Sequence, residues 1–213
     1  FYGAWQATER LGLKVITIPI HTEYGLDLQA LKQALVNYPI KVCLFMLNSQ
    51  NPIGFTVSDE IKLELAKILH EHHVYLIEDD VYEELYYTQK PLAMKYFDQQ
   101  NLVLHCSSFS KTLGAGFRVG WVYAGKFSEK IQHLQLMSTL SVNPFIQNAL
   151  VEYLSHRHYE KHLKSLRRNL QRNKKMIEQY LKSNLSMHCK IHAYPSGYFL
   201  WIELPAYIDS TQI

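Results

Sequence analysis

Short apolar runs rich in β-branched residues alternate with amphipathic stretches, and this alternation constrains the fold more than any other feature of the chain. Val15 to Ile20, Val42 to Leu47, Val74 to Ile77 and Leu102 to Cys106 have the length and composition of strands buried on both faces of a parallel sheet. Between them, Leu26 to Val36 and Ser58 to His73 carry helical patterns. The second opens with Ser58-Asp-Glu60, a capping hydroxyl followed by an acidic first turn. Alternation of this kind predicts an α/β domain with right-handed crossovers. From about Asn143 to Leu185 the pattern is helical almost without a break, and Tyr198 to Leu204 reads as a strand that opens a second domain. The expected division is a large, mostly parallel α/β domain over 1–142. A long interdomain helix and the start of a small α+β domain follow over 143–213.

Composition excludes some functions. A formal net charge of +3 over 213 residues is too small to argue for nucleic-acid binding on its own. No apolar run approaches membrane-spanning length, and no secretory signal is present, so a cytoplasmic protein with no membrane partner is expected. Cys43, Cys106 and Cys189 lie far apart with no Cys-x-x-Cys pair. Two of them sit inside apolar runs, which predicts reduced thiols. The chain opens on Phe1-Tyr-Gly3 rather than on Met and stops soon after an apolar strand, so it reads as part of a longer protein.

The functional signal is where the unusual polar residues fall. Open α/β sheets bind ligands at the carboxyl ends of their strands. Asn51-Pro52 follows the run ending at Leu47. Asp79 and Asp80 end the next, with Tyr82 close behind. Ser107, Ser108, Ser110 and Lys111 follow Cys106. Three strand ends thus deliver an amide, a carboxylate with a phenol, and a serine-rich lysine segment to one edge.

The run Ser107-Ser-Phe-Ser-Lys-Thr-Leu-Gly-Ala-Gly-Phe-Arg-Val-Gly-Trp121 resembles the lysine motif of class I/II aminotransferases of fold type I. Asn51-Pro-Ile-Gly54 and Asp79-Asp-Val-Tyr82 resemble two further motifs of that family, in the same order. The resemblance implies the fold type I large domain and pyridoxal 5'-phosphate as cofactor. That cofactor is an electron sink which the protein attaches, orients and tunes. By resemblance, Lys111 forms the Schiff base and Asp79 pairs with the pyridinium nitrogen, whose positive charge a carboxylate stabilises. Asn51 and Tyr82 contact the ring hydroxyl, the Asn51-Pro52 bond being cis, as is common in the family. Ser108, Ser110 and Arg118 hold the phosphate, to which a guanidinium offers a planar fork. Phe1 falls where the family carries its ring-stacking aromatic. Lys111, Asp79 and Tyr82 are the candidate catalytic residues, and a homodimer with an amino-acid-like ligand is implied.

A narrower resemblance rests on Ile77-Glu-Asp-Asp-Val-Tyr-Glu-Glu-Leu85, the short step from Lys111 to Arg118, and Pro195-Ser-Gly-Tyr-Phe-Leu-Trp-Ile-Glu-Leu-Pro205. These resemble the MocR branch of GntR-type transcriptional regulators. There an aminotransferase-like domain follows a winged helix-turn-helix, here absent from the chain, and would sense an effector. The alternative is a free-standing aminotransferase that exchanges amino groups between an amino acid and a 2-oxo acid. The cofactor residues serve both equally and do not decide between enzyme and sensor. Ordinary roles are expected elsewhere. Asp80 only caps a turn, and the basic residues between Arg157 and Lys175 form a solvated helix face. No cysteine or carboxylate spacing completes a metal site around His70, His72 and His73 or around His156, His158 and His162.

Overall fold

The computed structural model describes residues 2–185 and 188–210. Helix α1 (Tyr2–Arg10) precedes a hairpin of two short strands, β1 (Ile20–His21) with β2 (Gly25–Leu26), and helix α2 (Leu28–Asn37). Then come β3 (Val42–Phe45), α3 (Asp59–His72), β4 (Tyr75–Asp79), β5 (Val103–Ser108) and β6 (Gly120–Tyr123). Three helices follow, α4 (Ser128–Thr139), α5 (Pro144–Ser155) and α6 (His158–Asn184), before a last pair, β7 (Lys190–His192) and β8 (Trp201–Glu203).

The central sheet has the order β3-β4-β5-β6. β3, β4 and β5 run parallel, in a register that places Cys43 beside Leu76 and Leu76 beside Val103. Helices α2 and α3 cover that row. Leu31 and Leu35 from α2 and Leu65, Ile68 and Leu69 from α3 join Cys43, Leu76 and Val103 in one apolar cluster. Local sequence sets both helices. Asp27 Oδ1 accepts the Ala30 N–H at 2.9 Å, and Ser58 Oγ accepts that of Ile61 at 3.4 Å. His73, in the left-handed conformation at φ 53°, ends α3. Each fully buried leucine contributes about 1.5–3 kcal/mol relative to exposure, so this face holds the parallel strands together.

Several expectations are corrected. Only Ile20 of the Val15 to Ile20 run enters a strand; Val15 to Pro19 lie outside any ladder. Pro19 has no N–H to donate, and the chain turns back at once through β1 and β2. Burial of the sheet is one-sided among the described residues. β4 alternates half-buried and buried positions, and every residue of β6 is exposed. β6 also pairs antiparallel to β5, a strand the apolar pattern did not announce. The helical stretch breaks at His156 and Arg157, where Arg157 takes a positive φ of 56°. Of the Tyr198 to Leu204 run, only Trp201–Glu203 forms a strand, paired with β7. Cys43 is buried, and Cys106 and Cys189 are half-buried free thiols. Burial pushes Cys43 and Cys106 up to about 11. No helix among the described residues is long and apolar enough to cross a membrane.

Candidate functional site

The parallel strands β3, β4 and β5 all release their chains at one edge of the sheet, and the expected residues lie there. After β3, the loop from Leu47 to Val57 closes on itself. Val57 N–H donates to Leu47 O at 2.8 Å and Gln50 N–H to Phe55 O at 2.8 Å. Half-buried Asn51 sits at its tip, and the Asn51-Pro52 bond is cis, as expected. At the end of β4, Asp79 is half-buried. Burial raises its carboxyl above the usual range, opposed by the Val81 backbone N–H and the positive charge of Lys111.

Tyr82 is 3% exposed and presents its ring to Lys111, whose Nζ lies 5.6 Å from the ring centroid. Lys111 itself is exposed, on a tight turn in which Phe109 O accepts N–H groups of Thr112, Leu113 and Gly114 at 2.9–3.3 Å. The turn ends at Arg118, a non-glycine residue at φ 54°. Its Nη1 donates to Ser110 Oγ at 3.4 Å and Ala115 O at 3.1 Å, while Ser110 N–H donates to Ser108 Oγ at 3.3 Å. Gly120 lets β6 lie close against β5, because a Cβ there would meet Ser107 O at 2.8 Å.

Lys111, Tyr82 and Asp79 therefore form one group, and Ser108 at the end of β5, with Ser110 and Arg118 on the turn after it, a second. Asn51 joins them indirectly. Its loop packs through Gly54 and Ser49 against Tyr194, Gly197 and Phe199, and Phe199 in turn stands edge-on to Tyr82 at 5.1 Å. Phe1 lies outside the described residues.

The profile of the family described as "Aminotransferase class I and II" matches residues 6–212. The chain belongs to that family. Among curated proteins it is 53% identical, over 100% of its length, to the HTH-type transcriptional regulator YdcR of Escherichia coli K12, covering 46% of that protein. It is 27% identical over 94% of its length to the HTH-type transcriptional regulator NorG of Staphylococcus aureus strain USA300, covering 45% of it. Among solved structures, the kynurenine aminotransferase of Pyrococcus horikoshii, solved with PMP, matches all of this chain at a TM-score of 0.93 and 27% identity. That match takes in 54% of the solved chain. The chain thus spans about half the length of the relatives it matches. The fold is that of fold type I aminotransferases.

This aminotransferase-family site has further members that the sequence did not expose. Asp80 does not merely cap a turn. It is fully buried, and its Oδ2 accepts from Asn48 Nδ2 at 3.0 Å. Buried Lys62 donates from Nζ to Asn48 Oδ1 at 2.7 Å and Leu92 O at 2.6 Å. On the other side, His105 Nδ1 meets Glu78 Oε2 at 2.7 Å and stands 4.0 Å from Asp80. Burial and the charges of Glu78 and Glu83 push the Asp80 carboxyl well above its usual range, against His105 and Asn48. For His105, burial opposes the charged ring. The hydrogen bond and charge of Glu78, with Asp80 and Glu83, outweigh it and raise His105. Glu78, Asp80 and His105 bring three metal-ligating side chains within reach of one another, away from the histidine groups weighed in the sequence. Glu78 already accepts the Met94 and Lys95 N–H groups, so the cluster is a hydrogen-bonded network beneath Asp79. The available signal was Lys62, a charge at an apolar-stripe position with Leu65 and Leu69.

The basic face of α6 is also only partly solvated. Arg157, Lys161, Lys164, Arg168, Arg172 and Lys175 are exposed, as expected. Arg167, however, packs on the Tyr86 ring at 4.2 Å and donates to Glu84 O at 3.1 Å. Lys174 is buried and donates to Tyr194 O at 2.7 Å and Ser196 O at 2.9 Å. Tyr159 and His162 grip Thr112, next to Lys111, at 3.0 and 2.7 Å. The last residue missed is Tyr198. Its ring stands edge-on to Tyr82 at 5.6 Å. Burial, more than the Tyr82 contact, pushes the phenol up to about 12, with Lys111 acting the other way, so it is neutral at physiological pH.

Proposed function

We propose that this chain is the pyridoxal-phosphate-binding part of an aminotransferase-like domain that senses an effector in a GntR-type regulator of the MocR branch. The observation that carries the cofactor reading is the convergence of Lys111, Tyr82 and Asp79 on one edge, with Ser108 at the end of β5 and Ser110 and Arg118 on the turn of Lys111. The residue types fit the group. Asp79 is a half-buried carboxyl whose nearby counter-charge is an exposed lysine, so a cationic ring nitrogen would favour its ionised form. Two hydroxyls and a guanidinium make a donor set for a phosphate dianion. When bound, pyridoxal phosphate supplies an electron sink for amino-acid chemistry. Lys111 Nζ attaches it, Asp79 faces its ring nitrogen, Tyr82 and Asn51 face its ring hydroxyl, and Ser108, Ser110 and Arg118 hold its phosphate. In this reading 1–142 is the cofactor-binding large domain, and 143–213 is the connecting helix with the start of a small domain. The setting is cytoplasmic, the assembly a homodimer and the effector an amino acid or a related amine.

The regulator reading rests on 53% identity to YdcR along the whole chain, against 27% to the kynurenine aminotransferase. A free-standing aminotransferase is the second reading, favoured by the TM-score of 0.93 to that enzyme. In it Lys111 Nζ also takes the α-proton of the amino-acid substrate. A gel-shift titration of the intact protein on its promoter duplex, run beside a transamination assay, separates the two. Sequence-selective binding that shifts with amino acid or cofactor, with slow or no turnover, is expected. Robust turnover without selective DNA binding would leave the enzyme.

A further inference from the structure

We propose that His162 and Tyr159 of α6 are positioning residues for Lys111, acting through the buried Thr112 that follows it. Helix α6 thereby holds the turn on which the lysine stands. This deepens the reading of Lys111 as the cofactor lysine and rests on it for its purpose.

Lys111 is exposed, whereas its neighbour Thr112 is 4% exposed and fully engaged. The Thr112 N–H donates to Phe109 O at 3.3 Å, and its hydroxyl oxygen accepts from the Tyr159 hydroxyl at 3.0 Å. Its carbonyl oxygen faces His162 Nε2 at 2.7 Å. A carbonyl offers only lone pairs, so Nε2 carries the hydrogen in this contact. Burial raises the Tyr159 phenol above its ordinary value, so it keeps the proton that it donates. The Tyr159 ring also stands edge-on to Phe109 at 5.9 Å, and Phe109 supplies the carbonyl that closes the turn. Tyr159 and His162, three apart and so on one helix face, therefore hold both ends of the stretch from Phe109 to Thr112. Lys111 lies within that stretch. The helix is itself anchored. Leu163 is 2% exposed, Arg167 donates to Glu84 O at 3.1 Å, and Lys174 donates to Tyr194 O and Ser196 O at 2.7 and 2.9 Å.

The chemistry follows from what an attaching lysine needs. Attack on a carbonyl carbon requires the nitrogen at one place, facing one way. The Lys111 stem is long and flexible, so its reach is set by where it starts. Consecutive Cα atoms stand about 3.8 Å apart, so fixing Thr112 fixes that start. Neither hydrogen bond reaches the Lys111 amine, and both residues act through Thr112 rather than on the reacting atoms. Because the donors belong to α6 and not to the sheet, a shift of the helix breaks these bonds unless the lysine turn follows it.

The test follows amide hydrogen exchange in the intact protein freed of cofactor, beside the rate at which added pyridoxal phosphate becomes trapped on Lys111 by borohydride. His162→Leu removes the N–H, and His162→Gln puts an N–H donor back. Tyr159→Phe keeps the ring against Phe109 and removes only the hydroxyl. In His162→Leu and Tyr159→Phe, exchange in the peptide from Ser110 to Gly114 should rise about five-fold, the size of one hydrogen bond. Peptides of α3 and β4 should stay unchanged. Trapping on Lys111 should slow by about the same factor, and His162→Gln should return both readouts to within about two-fold of wild type. Unchanged exchange from Ser110 to Gly114, or a rise shared equally by α3 and β4, would overturn the inference. So would faster exchange with unchanged trapping, or a His162→Gln variant as impaired as His162→Leu. If His162→Leu does not fold, Tyr159→Phe carries both readouts. If wild-type Lys111 traps no cofactor, the cofactor reading fails, and exchange alone decides whether α6 holds the lysine turn.

Discussion

Asp79 and Asp80 are adjacent acids with opposite surroundings, because successive residues of a strand face opposite sides. Asp79 faces Lys111, while Asp80 faces the network of Asn48, Lys62 and His105. Asp79→Asn keeps shape and removes charge. Pyridoxal phosphate should still attach at Lys111, but with a changed visible spectrum and with reaction toward amino acids slowed by roughly tenfold or more. Absorbance and stopped-flow traces check this, and an unaltered spectrum and rate would place Asp79 away from the ring nitrogen. Asp79 was legible because Tyr82 stands three residues on and because a strand end is where ligands bind. Asp80 was not, since its partners are separated widely in sequence and meet only once β3, β4, β5 and α3 pack.

Helices α3 and α6 each carry a buried lysine that ties the site to the scaffold. Lys62→Met removes the cation, leaves Asn48 Oδ1 without its donor and leaves Leu92 O only the longer bond from Asn48 Nδ2 at 3.4 Å, beside buried Asp80. A loss of roughly 2–4 kcal/mol in denaturant unfolding is expected. A loss below about 0.5 kcal/mol, the usual range of surface substitutions, would mean the network contributes little. Lys174 gives a pH signature. Burial pushes its amine down to about 8, against the Glu178 charge, from an ordinary value of 10.5. Between those pH values the unfolded chain holds a proton that the folded chain has lost, so stability rises with pH across that window. Below about 8 the cost of burying the charge is fully present. Relative to Lys174→Met, the wild type should therefore gain on the order of 1–3 kcal/mol from pH 8 to 10.5; parallel curves would contradict it. Elements with strong local signals were readable, α3 from its cap and stripe and β4 and β5 from their apolar runs. β6 was not, because its ladder with β5 brings Gly120 close to Ser107 and Ser108 without burying it.

At the scale of the whole molecule, the chain covers 46% of YdcR and 54% of the kynurenine aminotransferase chain, yet it carries Lys111, Asp79, Tyr82, Asn51 and Arg118 at one edge of its sheet. The cofactor reading thus rests on this segment, while the regulatory reading rests on the protein around it. A ligand that prefers one arrangement of a dimer shifts DNA affinity only by its differential affinity for the two states, so effector and DNA responses must be reciprocal in the intact protein. Both readings turn on one covalent test. The intact protein incubated with pyridoxal phosphate should turn yellow, and borohydride should fix the cofactor on the peptide containing Lys111. Fixation on any other lysine, or none at saturating cofactor, would contradict the assignment of Lys111.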